Sequence, residues 1–396
     1  MKKPSVLHLK EILKPKEKAF GTLILNVNLL SALMAIVVGM LFGLVIMLVS
    51  NPSQALGGFA AIVISPITGG PRVIGQVLYF ATPLILTGLG VGFAFKTGLF
   101  NIGASGQYLM GAAFALYTGI VLQQPWWVAM VAAALGGAIW GSIPGLCKAL
   151  FNVNEVITSI MFNWIGLFAV NLFLSNTPKI LADYYGAANP DRTADLSAAN
   201  VKAIIPTLGL DKLFGSTFMN ISIVITSVIA IIAFIIISKT TFGYELKACG
   251  LNKNASIYAG INAKRNIFLS MLISGSFAGI GGGIYFLSGT AQYTIEKVLL
   301  NMGFNGIPVA LLASSNPIGT IFSALFISYI QVGGDAMQPE FAKEIIDIII
   351  SVIIYLSAFS LLIKGLITRQ RKSKKIITAV QDEEHDNEVN KEEGAK

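Results

Sequence analysis

Apolar residues run along this chain in blocks separated by short polar interruptions, and the blocks have the length that a membrane demands. A run of roughly 20 apolar residues at about 1.5 Å rise per residue crosses a bilayer core of about 30 Å. Uncharged stretches of that order predict helices at about 28–50, 73–95, 105–122, 126–147 and 155–174, then at about 217–238, 266–287, 298–314, 316–333 and 345–363. The expected fold is an all-α polytopic membrane protein of about ten transmembrane helices. Only Ser314-Ser315-Asn316-Pro317 separates the eighth run from the ninth, so a pair of half-spanning or re-entrant segments also fits there. Eight spans satisfy the pattern equally well.

Basic residues orient the pattern. Lys2, Lys3, Lys10, Lys14, Lys16 and Lys18 precede the first apolar run, which places the N-terminus in the cytoplasm. That run is long and lacks a small-residue cleavage site, so it reads as a retained span and not a cleaved signal peptide. With an even number of spans both termini are cytoplasmic, and the inner side carries a net charge of +10 against −2 outside. A topology shifted by one span would expose either the N-terminal lysines or the Arg369 to Lys375 cluster.

Three regions follow: a basic cytoplasmic N-terminus at 1–27, a transmembrane domain at 28–365 and a cytoplasmic tail at 366–396. The tail is basic and then acidic, and too poor in apolar residues to fold alone. Within the domain, the longest external connection, about 175–216, reads either as a surface loop or as a docking surface for an extracellular partner. The loop at about 239–265 is cytoplasmic.

Composition narrows the function. The chain is 54% hydrophobic and 12% charged with a mean hydropathy of +0.72, which excludes an ordinary soluble domain. The net charge of +8 is the mark of cytoplasmic loops, not of nucleic-acid binding. Cys147 and Cys249 lie far apart and make no disulfide framework. His8 and His385 sit in the polar tails, so no imidazole serves as a metal ligand or base within the membrane.

Ionisable side chains are nearly absent between the predicted helix ends, Asp347 being the main exception. That argues against a proton-driven carrier, which needs buried relays, and for a neutral or weakly polar solute. Uncharged polar residues are plentiful instead: Gln76, Asn101, Gln107, Asn163, Asn171, Tyr285, Asn301, Asn305 and Gln331. Such groups either hydrogen-bond a solute or join helices together. Glycines recur at four-residue spacing, as in Gly141 with Gly145 and Gly275 with Gly279 and Gly283, which lets helix backbones approach closely. No G-x-x-x-x-G-K-[ST] segment occurs, so any ATP hydrolysis belongs to another subunit.

Four motifs carry a resemblance. The segment Phe242-Gly243-Tyr244-Glu245-Leu246-Lys247-Ala248-Cys249-Gly250-Leu251-Asn252 continues through Ala255, Ala259, Gly260 and Ile261. It resembles the coupling loop of ABC importer permeases of the ribose and branched-chain amino-acid class, with Lys247 and Ser256 as mild departures. A short helix flanked by glycines, with small residues on one face, suits docking into a groove of an ATPase. Phe100-Asn101-Ile102-Gly103-Ala104-Ser105-Gly106-Gln107 is similar to the F-N-I-G-A-E-G-Q segment of purine nucleoside permeases, with Ser105 replacing the glutamate. Asn154-Glu155-Val156-Ile157 through Asn163, and Gly303-Phe304-Asn305-Gly306 through Leu312, resemble two further segments of the same permeases.

The resemblance implies a type II-like importer permease fold in a bacterial cytoplasmic membrane, importing nucleosides, purine nucleosides in particular, as a transport subunit and not an enzyme. It implies a cytoplasmic ATP-binding subunit, a second and non-identical permease subunit, and an extracellular substrate-binding lipoprotein. No cofactor is expected on this chain and no metal. Glu245, Ala248, Gly250, Asn252, Ala255, Ala259, Gly260 and Ile261 are the expected coupling residues, and Asn101, Gln107, Asn163 and Asn305 the polar candidates along the solute pathway. The same machinery with a sugar or branched-chain amino acid as cargo is the nearest alternative. An ion-coupled secondary carrier is a rival of another class.

Overall fold

The computed structural model describes Met34 and residues 37–358 except Pro339, so the expectations for residues 1–27 and 366–396 lie outside the described residues. The described chain is mostly helical. Two apolar helices of intermediate length, α1 (Val37–Ser50) and α2 (Ala55–Thr68), come first. Then follow α3 (Gly70–Lys96), α4 (Ala104–Leu116), α5 (Trp126–Phe151), α6 (Glu155–Ser175), the short α7 (Leu196–Ala199) and α8 (Leu210–Phe214), and α9 (Ser222–Lys239). The remainder comprises α10 (Thr241–Leu251), α11 (Lys253–Tyr258), α12 (Ala263–Leu287), α13 (Asn301–Phe304), α14 (Gly306–Leu312), α15 (Pro317–Asp335) and α16 (Lys343–Ala358). Among the described residues there is no β-strand, only the isolated bridges Leu181 to Thr193 and Arg192 to Thr294.

Six helices, α3, α5, α6, α9, α12 and α15, are long and apolar enough to cross a membrane. α4 is lengthened by a π-helical turn, Tyr117–Val121, which together with it fills the run expected at about 105–122. The hydropathy pattern leaves 51–72 unassigned, yet α2 forms there, with Gly58 against the Phe341 ring and Pro66 in its last turn. The run expected at about 298–314 is two short helices broken at Asn305, because Gly303 and Gly306 press against other backbones and Pro308 supplies no N–H.

The chain separates into two units, 51–346 and a smaller one drawn from its two ends, up to Ser50 and from Asp347 onward. In the larger unit α3 is almost wholly enclosed, at 89%, whereas α6 and α9 are only 28% buried. The outward faces of α5, α6 and α9 carry Val131, Leu135 and Ile139, Trp164 and Phe168, and Val228 and Ile232. Large apolar side chains outside and small ones inside is the pattern of a protein whose solvent is lipid. The inside is a glycine seam: on α12, Gly275 meets the backbone of Gly137 and Gly141 on α5, and Gly279 that of Ala133 and Gly137. Gly279 also abuts Gly111 on α4, so three helix backbones touch where any side chain would collide.

The connection at 175–216 is an ordered structure. Its Ala182 N–H donates to the Arg192 carbonyl at 2.8 Å, and the Thr193 N–H donates to the Tyr293 carbonyl at 2.9 Å. Asn200 donates to the Gly119 carbonyl at 2.8 Å, which ties the connection to the end of α4. Tyr293, within the 288–300 connection, donates its hydroxyl to Asn171 at 2.7 Å. Burial, with Glu296 nearby, raises that hydroxyl above its ordinary pKa and keeps it a donor.

Candidate functional site

The turn from α3 to α4 gathers three of the four pathway candidates. α3 ends at Lys96, and Gly98, at φ +73°, turns the chain back so that Asn101 points inward. Asn101 is fully buried and all its polar positions are used. Its amide nitrogen donates to Gln107 Oε1 at 2.8 Å and to Ser274 Oγ at 2.7 Å. Its oxygen accepts from the Gly103 N–H at 3.0 Å and from Gln107 Nε2 at 3.1 Å. Ser274, on α12, passes its own proton to the Gly90 carbonyl at 2.6 Å.

Asn163 on α6 completes the cluster. Its oxygen accepts from the Gly106 N–H at 2.8 Å, and its nitrogen donates to the Ile102 carbonyl at 3.1 Å. Asn101, Gln107 and Asn163 therefore join α3, α4, α6 and α12 through bonds that leave little for a solute, and each is at most 2% exposed. Asn305 stands apart in the break between α13 and α14, half-buried, with a side-chain amide that has no hydrogen bond among the described residues. Ser105 is fully buried and donates to the Leu300 carbonyl at 3.1 Å, with Gly303 packed on its Cα. Sequence reasoning missed Ser274, which differs in no visible way from other small residues of α12.

The segment expected to couple is two helices, α10 and α11, separated at Asn252. Thr240 caps the first by accepting from the Gly243 N–H at 3.1 Å, and Asn252 caps the second by accepting from the Ala255 N–H at 3.0 Å. Asn266 at the start of α12 donates to Glu245 at 3.0 Å, and the buried Ser256 donates to the Lys253 carbonyl at 2.7 Å. Gly250 lies within α10, and a Cβ there would strike the Lys96 carbonyl at the end of α3. Gly260 follows α11 at φ +83° with open space around it, so a larger residue is strained by conformation and not by crowding.

Ala255 and Ala259 are exposed, Ala248 and Ile261 half-buried. The larger neighbours matter more: Leu251 is 88% and Tyr258 93% exposed, with Ile257 beside them. They were not singled out from the sequence. Lys239, Lys247, Lys253, Lys264 and Arg265 lie in the same stretch of the chain, which makes it basic.

Six helices long and apolar enough to cross a membrane, with large apolar side chains outside and a glycine seam inside, define a multi-pass membrane protein. Residues 73–358 match the family described as "Branched-chain amino acid transport system / permease component", and the chain belongs to that family. It is 37% identical over 352 residues to the guanosine ABC transporter permease protein NupP of Bacillus subtilis, covering 87% of this chain and 97% of that one. It is 36% identical over 357 residues to the nucleoside ABC transporter permease protein NupB of Lactococcus lactis, covering 88% and 95%. A glucose ABC transporter permease protein of Haloferax volcanii is 29% identical over 290 residues, covering 70% and 74%. No solved structure matches. The chain is thus a transport subunit and not an enzyme.

Proposed function

We propose that this chain forms the translocation pathway of an ATP-driven nucleoside importer, with purine nucleosides as its cargo. One observation carries the reading: the two relatives aligned along nearly its whole length are a guanosine and a nucleoside permease. The N-I-G-x-x-G-Q segment supports it through its resemblance to that of purine nucleoside permeases. The membrane is the bacterial cytoplasmic membrane, with about ten crossings, both termini inside, and the 175–216 connection outside.

The α10–α11 element is the ATPase contact. Leu251, Ile257 and Tyr258 project from it without burying their apolar area, which a water-facing surface offers to a partner. An ATP-binding subunit docks there, a second and non-identical permease packs beside this one, and a binding lipoprotein delivers solute outside. Asn305 keeps a free amide for solute, whereas Asn101, Gln107 and Asn163 reach it only if the α3–α4 turn opens.

A sugar is the second reading, favoured by the glucose permease among the relatives. Uptake of radiolabelled guanosine by cells with and without the gene separates the two. The expected result is ATP-dependent uptake lost with the gene, competed by adenosine and not by ribose, glucose or leucine. Uptake competed by ribose or glucose, or unchanged without the gene, refutes the nucleoside assignment.

A further inference from the structure

We infer that Tyr79, Tyr108 and Tyr285 form a subsite for the planar base of the transported solute, reached from a polar cavity at one end of the helices; this rests on the nucleoside reading above. Tyr79 on α3 and Tyr285 on α12 stack with ring centroids 5.6 Å apart and planes 30° apart. Tyr79 is nearly buried, and its hydroxyl accepts from Thr290 at 3.0 Å and lies 3.1 Å from Ser288 Oγ. Thr290 also lines a cavity of about 370 Å³ with Arg192 and Gln292. That volume falls at the lower end of the roughly 300–1,000 Å³ of small-molecule sites. One threonine therefore belongs both to the cavity wall and to the hydroxyl chain that ends on the stacked rings.

Tyr108 supplies the decisive oddity. Its side chain is fully buried on α4, its hydroxyl has no hydrogen-bond partner among the described residues, and its backbone carbonyl lies against Gly282 of α12, three residues before Tyr285. A buried hydroxyl without a partner destabilises a fold unless something else fills its need. Tyr285 is half-buried, and its hydroxyl also has no partner among the described residues. The unspent phenols of Tyr108 and of Tyr285, the latter a member of the stack, bring aromatic rings together with hydroxyl donors, the combination that a heteroaromatic ring bearing carbonyl oxygens and ring nitrogens takes up. A sugar without a base would use the cavity and leave the rings idle.

The test measures KM and maximal uptake rate for labelled guanosine in cells carrying the complete transporter with wild-type, Tyr108→Phe or Tyr285→Leu protein, alongside membrane abundance. Tyr108→Phe removes one oxygen that no protein group needs, so the variant accumulates at least as well as wild type, and KM rises about fivefold. Tyr285→Leu removes the stacking face and raises KM roughly tenfold or more. Unchanged KM in both variants, or a fall in rate that follows abundance alone, overturns the subsite. Absence of guanosine uptake by the wild type overturns the nucleoside reading and the subsite with it, and is told apart by the wild-type arm.

Discussion

The α3–α4 turn and the α10–α11 element are both rich in glycine, asparagine and small residues, yet the fold treats them in opposite ways. At the turn every amide of Asn101 and Asn163 is matched to a donor or acceptor a few residues or a helix away. At α10–α11 the caps are likewise satisfied, but Leu251 and Tyr258 are left almost bare. Polar groups that have found partners hold architecture, and apolar groups that have not are held for something else. Two motifs of the same family thus carry different physical meanings, one internal and one directed outward.

The comparison breaks most easily at the inner region. Gly279→Leu on α12 would drive a side chain into the backbones of α4 and α5, and loss of the protein from the membrane fraction is the expected result. Asn101→Ala comes next. It strands Ser274, Gln107 and the Gly103 N–H, and a loss of about 2 kcal/mol or more follows, read as a lower thermal midpoint in detergent. Lys148→Gln breaks the 2.9 Å ion pair with Glu155 between α5 and α6. Both partners are partly exposed, so the same melting experiment should show a change of at most about 1 kcal/mol. At the outward region, Tyr258→Ser should leave the midpoint within about 0.5 kcal/mol of wild type, because the ring touches so little.

Much of this was legible in the sequence. The runs expected at about 126–147, 155–174 and 266–287 correspond to α5, α6 and α12, and the spaced glycines of α5 and α12 do meet. α2 was hidden because Pro52, Gly57, Gly58 and Pro66 punctuate it like a loop, while packing on Phe341 makes it a helix. The order in the 175–216 connection was hidden too, since it comes from backbone pairing with residues about 100 positions away, such as Thr193 with Tyr293. Asparagine and glutamine stand out in the sequence as polar groups within apolar runs, and Asn101, Gln107 and Asn163 bond to protein. Which of them face protein and which stay free depends on helix rotation, and that is fixed by the glycine contacts and not by the residue type.

Guanosine uptake by cells expressing the Tyr258→Ser variant, at a membrane abundance matched to wild type and with cellular ATP intact, addresses the whole account in one comparison. Tyr258 at the centre of a partner contact is worth about 2 kcal/mol or more, so uptake at limiting ATPase subunit should fall about thirtyfold while the protein stays folded. Wild-type rates of uptake from the folded variant would contradict the assignment of α10–α11 as the coupling contact.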